Sequence, residues 1–284
     1  MDVSIDVALS PEEASAALGD VPGVEVAAAD GGSRVTLRLE KDEDAELLAW
    51  VGEALRGFDD WFTDRVARRP SGPRSRGIYA DPTYHYPNFR VLLEELALGP
   101  DDYLVEVGCG GGALLKDALR SGCRAAAVDH SREMVALASE ANRDAIEEGR
   151  LEVLESDAHG LPFPDDTFTA AVMTGVLGFL GDPVTALSEI RRVLRPGGRF
   201  GLLGSDPELR GTPAAPEPVA SRLRFYDTEE LAQLGRDAGF ADVRVELHNM
   251  EHYAREAGVP EAHLGLFSEG PGARFLFARK AQEA

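Results

Sequence analysis

One stretch constrains this chain more than any other. Leu104-Val105-Glu106-Val107 reads as a short buried strand, and it runs directly into Gly108-Cys109-Gly110-Gly111-Gly112, after which a helical pattern opens at once. Glycines in such a turn permit positive φ and let a ligand approach bare backbone. The helix start beyond them presents unpaired N–H groups. A strand–glycine loop–helix of this kind belongs to a doubly wound sheet, where ligands bind at the carboxyl ends of the strands.

The rest of residues 84–284 agrees. Strands are expected at about 103–107, 124–129, 151–155, 169–173 and 198–204, with helices at about 87–97, 112–120, 131–148 and 183–194. This alternation implies a parallel sheet with right-handed crossovers. A helix at 227–238 and strands at 242–248 and 273–280 follow, and 205–222 reads as an insertion rich in proline and alanine. Ahead of this domain, residues 1–68 read as a small α+β unit. Val3, Ile5, Val7 and Leu9 alternate as in a half-buried strand, Ser10-Pro11-Glu12-Glu13 opens a helix, two strands flank Asp30-Gly31-Gly32, and a helix is expected over 42–64. Residues 69–83, beginning RPSGPRSRG, read as a linker.

Charge and cysteine usage narrow the function. The formal net charge is −21, which opposes phosphate backbones and anionic lipid, so nucleic acid and membrane surfaces are not expected partners. No run of about 18 apolar residues suggests a membrane span, and the MDVSIDVALS opening has neither the basic start nor the apolar stretch of a signal peptide. The two cysteines, Cys109 and Cys123, suit a reducing cytoplasm, and no ligand spacing points to a metal. Charge is uneven: residues 1–60 hold 15 acidic against 4 basic side chains, whereas Arg65, Arg68, Arg69, Arg74 and Arg76 follow closely. That basic run is either a solvated linker or a cationic lip for an anionic substrate.

The glycines alone do not name the ligand, because Gly108, Gly110 and Ala113 also satisfy the dinucleotide pattern G-x-G-x-x-G/A, and Asp129 sits where an acid would hold a ribose in either case. Glu106 favours another ligand. A carboxylate just below the loop repels a pyrophosphate and attracts a cationic amino acid. Asp157, at the end of the third strand of the sheet, is placed to accept from an adenine amino group.

With these residues assembled, the run from 103 to 204 resembles the class I S-adenosylmethionine-dependent methyltransferases, and within them the small-molecule branch that includes ubiquinone/menaquinone-biosynthesis enzymes. Glu106 to Gly112 looks like that family's first motif, and Leu161 to Phe168 resembles its L-P-F-x-D-x-x-F stretch. The resemblance implies a Rossmann-like methyltransferase sheet with an antiparallel last strand, and S-adenosyl-L-methionine as cofactor. It implies a cofactor site of Glu106, Gly108, Cys109, Gly110, Gly112, Asp129, His130, Met134, Asp157, Ala158 and Thr174. Where relatives carry a His or Asp past the fourth strand, this chain has Val176-Leu177-Gly178-Phe179-Leu180, so no catalytic residue carries over. Tyr84, His85, Tyr86 and His248, with Tyr79, are the substrate-side candidates. The expected reaction is methyl transfer to an oxygen, nitrogen or carbon nucleophile of a small-molecule acceptor. A non-methylating S-adenosylmethionine-binding accessory protein and a nicotinamide-dependent reductase are the competing readings. The N-terminal unit is a candidate homodimerisation module.

Overall fold

In the computed structural model, the described residues are 2–7, 10–18, 23–29, 32–38, 60, 63–212, 215–216, 218–268 and 272–282. The helix expected over 42–64 lies largely outside them. The chain divides into two compact units, one made of residues 1–64 with 217–222, the other of 65–216 with 223–284.

The first unit is an antiparallel three-stranded sheet. Strands β1 (Asp2–Val7), β2 (Val24–Ala29) and β3 (Gly32–Arg38) lie in the order β1-β3-β2, with helix α1 (Pro11–Leu18) between β1 and β2. Val35 and Leu37 of β3 are fully buried, and Ala14 and Leu18 of α1 are nearly so, which matches the period-2 and helical patterns of the sequence. Arg222 pairs with Asp60 at 3.0 Å.

The second unit is a seven-stranded sheet covered on both faces. Its strands are β4 (Tyr103–Val107), β5 (Arg124–Asp129), β6 (Leu151–Glu155), β7 (Phe168–Met173), β8 (Leu194–Leu203), β9 (Ala241–His248) and β10 (Ala273–Arg279). The order is β6-β5-β4-β7-β8-β10-β9. The first five strands are parallel and β10 runs antiparallel to both of its neighbours. Central strands of such a sheet are buried on both faces, hence the unbroken apolar character of Ala125 to Val128 and Ala170 to Met173. Two apolar layers result. Phe168, Phe200, Leu187 and Ile190 lie in one, and Leu92, Leu104, Leu115 and Phe275 in the other.

The helices of this unit are α2 (Gly72–Ala80), α3 (Tyr86–Leu96), α4 (Ala113–Ala118), α5 (Arg132–Ala141), α6 (Arg143–Glu147), α7 (Pro183–Val193), α8 (Thr228–Asp237), α9 (Glu251–Glu256) and α10 (Gly265–Ser268). Three details differ from the sequence expectation. The stretch read as linker contains α2, and the unit boundary lies near residue 65, ahead of that stretch. The helix expected over 131–148 breaks at Asn142, whose Nδ2 donates to the carbonyls of Ala138 and Gly112, both at 3.0 Å. An asparagine that finds backbone acceptors in this way competes with helix continuation. The Pro196-Gly197-Gly198 turn lies within β8, as a bulge that shifts its register against β7 between Phe168 and Ala170.

Phe168 illustrates how closely the core is filled. It is fully buried, with its ring centroid 4.5 Å from that of Tyr103 and 4.9 Å, edge-on, from that of Phe163. Phe168→Ala should cost about 3–5 kcal/mol of unfolding free energy, read as a lower midpoint in urea at unchanged slope.

Candidate functional site

The cavity opens at the carboxyl ends of β4, β5 and β7, where the crossover helices leave the sheet. It has a volume of about 270 Å³. Its floor is the glycine loop. The N–H groups of Gly108 and Cys109 both donate to the Val128 carbonyl, at 2.8 and 3.1 Å, which ties the loop to β5. Gly110 has φ +49°, and a Cβ there would stand 2.9 Å from the Tyr79 ring, so the loop is shaped for a residue without a side chain.

Asp129 organises the next layer. It is 8% exposed, and its two oxygens accept from the Gly110 N–H at 2.9 Å and the Ser131 N–H at 2.8 Å. Ser131 then caps α5 and donates its hydroxyl to the Pro70 carbonyl at 2.7 Å. The Gly72 N–H donates to Glu133 at 2.8 Å, and the His130 ring bonds the Arg68 carbonyl. Residues 68–79 are thereby strapped along the start of α5, with Arg68, Pro70 and Tyr79 lining the cavity. Burial, and then the charge of Asp129, push the Tyr79 hydroxyl up to about 12, so it stays neutral.

Glu106 is the anomaly. It lies at the cavity floor, is 2% exposed, and its Oε2 has no hydrogen-bond partner among the described residues. Burial and then the Asp129 charge hold its carboxyl well above the usual range. The same causes, with Glu106 itself, raise the buried Cys109 thiol, so a reactive thiolate is disfavoured. At the far end, Asp157 is exposed. The His159 backbone N–H, and then its ring, bond the Asp157 carboxylate at 2.8 and 2.6 Å and hold it below the ordinary range.

Of the residues expected to hold a cofactor, Glu106, Gly108, Cys109, Gly110, Asp129, His130, Asp157, Ala158 and Thr174 all line this cavity. Gly112 and Met134 do not. Gly112 caps α4, and a Cβ on it would meet Asn142 at 2.6 Å and Ala138 at 3.0 Å, so its role is packing of the loop against α5. Met134 is fully buried within α5. Among the substrate-side candidates, His85 and Tyr79 line the cavity. Tyr84 is exposed and bonds His263 at 2.7 Å, Tyr86 packs edge-on against Phe89, and His248 pairs with Glu246 at 3.0 Å beside Phe275. Sequence reasoning missed Phe89 and Pro82 as lining residues, because apolar side chains of an amphipathic helix and its approach look like core.

Residues 105–202 match the family described as "Methyltransferase domain". The chain contains a class I S-adenosylmethionine-dependent methyltransferase domain. It is 28% identical over 191 residues to a demethylmenaquinone methyltransferase of Clavibacter sepedonicus, covering 59% of this chain and 74% of that protein. It is 34% identical over 164 residues to an uncharacterized 37.1 kDa transposon protein of Streptomyces fradiae, covering 53% of this chain and 47% of that one. The chain spans about half the length of most of the curated relatives it matches. Among solved structures, a SAM-dependent methyltransferase from Aquifex aeolicus superposes with TM-score 0.56 at 21% identity, over 74% of this chain and 100% of that one. The [4+2]-cyclase SpnF superposes with TM-score 0.55 at 24% identity, over 69% and 81%. These two likenesses establish the fold.

The buried acid makes a measurable prediction. Because the folded state raises the Glu106 pKa, it retains a proton that the unfolded chain has released once pH passes the ordinary carboxylate range. Stability of the ligand-free protein should therefore fall as pH rises from about 4.3 toward neutrality and beyond. Glu106→Gln should flatten this slope and raise the thermal midpoint at pH 7–8. An unchanged pH profile in calorimetry would show that Glu106 is paired in solution.

Proposed function

We propose that this protein transfers the methyl group of S-adenosyl-L-methionine to a small-molecule acceptor. The observation that carries the reading is the Glu106 carboxylate, buried and unpartnered at the floor of a glycine-lined cavity. An uncompensated buried acid is costly and calls for a cationic partner. The amino-acid end of S-adenosylmethionine supplies one, whereas the pyrophosphate of a nicotinamide dinucleotide would add negative charge beside Glu106 and Asp129.

The remaining residues fit the rest of that molecule. Gly108 and Gly110 leave room for close approach to backbone, Asp129 at the end of β5 suits the ribose hydroxyls, and the oxygen of Asp157 not engaged by His159 suits an adenine amino group. Tyr79 and the strap cover the site from α2. When bound, the cofactor supplies a methyl group already activated on a sulfonium. What the protein adds is orientation and exclusion of water, which can account for much of the rate of an in-line displacement. The acceptor's place is against the apolar part of the lining, to which Phe89, Phe179 and Leu180 contribute.

Among the described residues no helix is long and apolar enough to cross a membrane, and the free cysteines Cys109 and Cys123 suit the cytoplasm. Among the described residues, those lining the cavity all belong to the second unit, and the N-terminal unit is the candidate for self-association. Sedimentation velocity of the full chain tests that assignment, and a monomer at micromolar concentration would remove it.

Two variants test the cofactor site by calorimetry with S-adenosylmethionine. Asp129→Ala removes a charged acceptor from two N–H groups as well as the ribose contact, and should weaken binding about 100-fold or more. Gly110→Arg fills the cradle and should abolish binding while the circular dichroism spectrum persists. Near-normal affinity in either variant would reject the assigned pocket.

A further inference from the structure

Three imidazoles line the cavity, and the protein has already engaged two of them. The His130 ring bonds the Arg68 carbonyl and holds the strap, and the His159 ring bonds Asp157. The third, His85, has no hydrogen-bond partner for either ring nitrogen among the described residues. We propose that His85 is the general base that takes the proton of a phenolic or enolic hydroxyl acceptor as that oxygen is methylated. The proposal rests on the methyl-transfer reading above and assigns both a catalytic residue and an acceptor class to it.

The backbone fixes His85 firmly while leaving its ring open. Its N–H donates to the Pro82 carbonyl at 2.8 Å, and its own carbonyl accepts from the Phe89 N–H at 3.1 Å at the first turn of α3. Its ring lies within 19° of parallel to that of Phe89, with centroids 6.3 Å apart. His85 stands at the N-cap of α3, where the positive end of the helix dipole disfavours an imidazolium. The residue keeps an exposed side, yet the protein atoms crowded around its ring act in the same direction and lower its pKa. Both effects keep the ring neutral at physiological pH, the form that can accept a proton.

The surroundings define the acceptor. Pro82 and Phe89 flank His85, and Val176, Phe179 and Leu180 complete an apolar wall of the same cavity. This surface suits a flat, apolar molecule. A base weaker than an ordinary imidazole takes a proton efficiently from a hydroxyl that is itself weakly acidic, which favours a phenol or enol over an alkyl alcohol. A neutral amine would need no base near attack. In the step itself the acceptor oxygen forms a bond to the methyl carbon, and the carbon–sulfur bond breaks with its electron pair remaining on sulfur. The hydroxyl proton passes to the His85 ring, so a neutral ether and a neutral thioether result, and the imidazolium returns its proton to solvent.

The test begins with S-adenosylhomocysteine, which should bind wild type and His85→Gln with the same affinity in calorimetry. Failure of wild type to bind it would overturn the cofactor reading rather than the role of His85. In the S-adenosylhomocysteine complex, the ¹⁵N ring resonances of His85, assigned by their loss in His85→Gln, should report a neutral ring at pH 7 that titrates below about 6.5 and should shift on addition of 1-naphthol. A ring that is protonated at pH 7, or that ignores 1-naphthol, overturns the proposal. With labelled S-adenosylmethionine and a panel of 1-naphthol, catechol and a hydroxynaphthoquinone, wild type should methylate at least one. His85→Gln should then lose about 100-fold in kcat with little change in KM for S-adenosylmethionine. Imidazole in the buffer should restore part of the rate of His85→Ala. Wild-type turnover by His85→Gln overturns the assignment of the base, and no transfer to any of the three by wild type that binds S-adenosylhomocysteine overturns the acceptor class.

Discussion

The site depends on one piece of backbone, the end of β5. The Val128 carbonyl holds the N–H groups of Gly108 and Cys109, and the next residue, Asp129, takes those of Gly110 and Ser131. The loop after β4 and the start of α5 are thus fixed to the same two residues. Parallel pairing makes this arrangement available, because it brings the carboxyl ends of β4, β5 and β7 to one edge with their helices departing together. The strap of residues 68–79 is a third dependant, since it bonds His130 and Ser131, which Asp129 positions. A change at Asp129 would therefore reach the loop, the helix cap and the cover of the cavity together.

The arrangement places two acids where the free protein gains least from them. Glu106 and Asp129 are both buried, and burial, then the Asp129 charge, raises the Glu106 carboxyl. Replacing Glu106 by a neutral residue would relieve that cost in the empty protein, so the acid is a liability for folding alone. A cationic ligand converts it into a source of affinity, because its charge favours loss of the Glu106 proton and pairs with the carboxylate that results. Binding and stability are linked in consequence, and the ligand should matter more to the fold at neutral pH than in mild acid, where Glu106 carries a proton.

The sheet was largely legible because central parallel strands leave a plain signature. The runs 104–107 (apolar but for Glu106), 125–128 and 170–173 could be read without tertiary information. The loop was legible for the same reason, as were Asp129 and Asp157, which stand at strand ends. Gly112 and Met134 lie outside the cavity lining, and the sequence does not separate them from lining residues, because a glycine required by helix packing and one required by a ligand look alike and a methionine beside a site can be buried away from it. The strap was misread as linker for a different reason. Prolines, glycine and arginines in RPSGPRSRG give no local signal of order. Its structure comes from partners about sixty residues away, Ser131 and Glu133, through main-chain atoms of Pro70 and Gly72 that carry no sequence information.

Those distant bonds also decide where the arginines of the strap point. A basic run beside a cavity invites the reading of a lip for anionic substrates. In the structure Arg69 donates to the His130 carbonyl at 3.3 Å and Arg76 reaches Glu140 at 3.3 Å, so these two charges are turned toward α5. The exposed Arg76–Glu140 pair contributes about 0–1 kcal/mol and is screened by salt. These two arginines orient the strap, while the buried Ser131 bond and the part-buried Glu133 bond to its backbone hold it. The cavity that it covers is lined by the acids Glu106 and Asp129 and by the apolar Phe89, Val176, Phe179 and Leu180, with His85 as its one imidazole not engaged by the protein among the described residues. Such a lining suits a cation beside the acids and a flat molecule beside the apolar side chains; Arg69 and Arg76 bear on that selection by keeping the cover in place, while Arg68 lines the cavity itself.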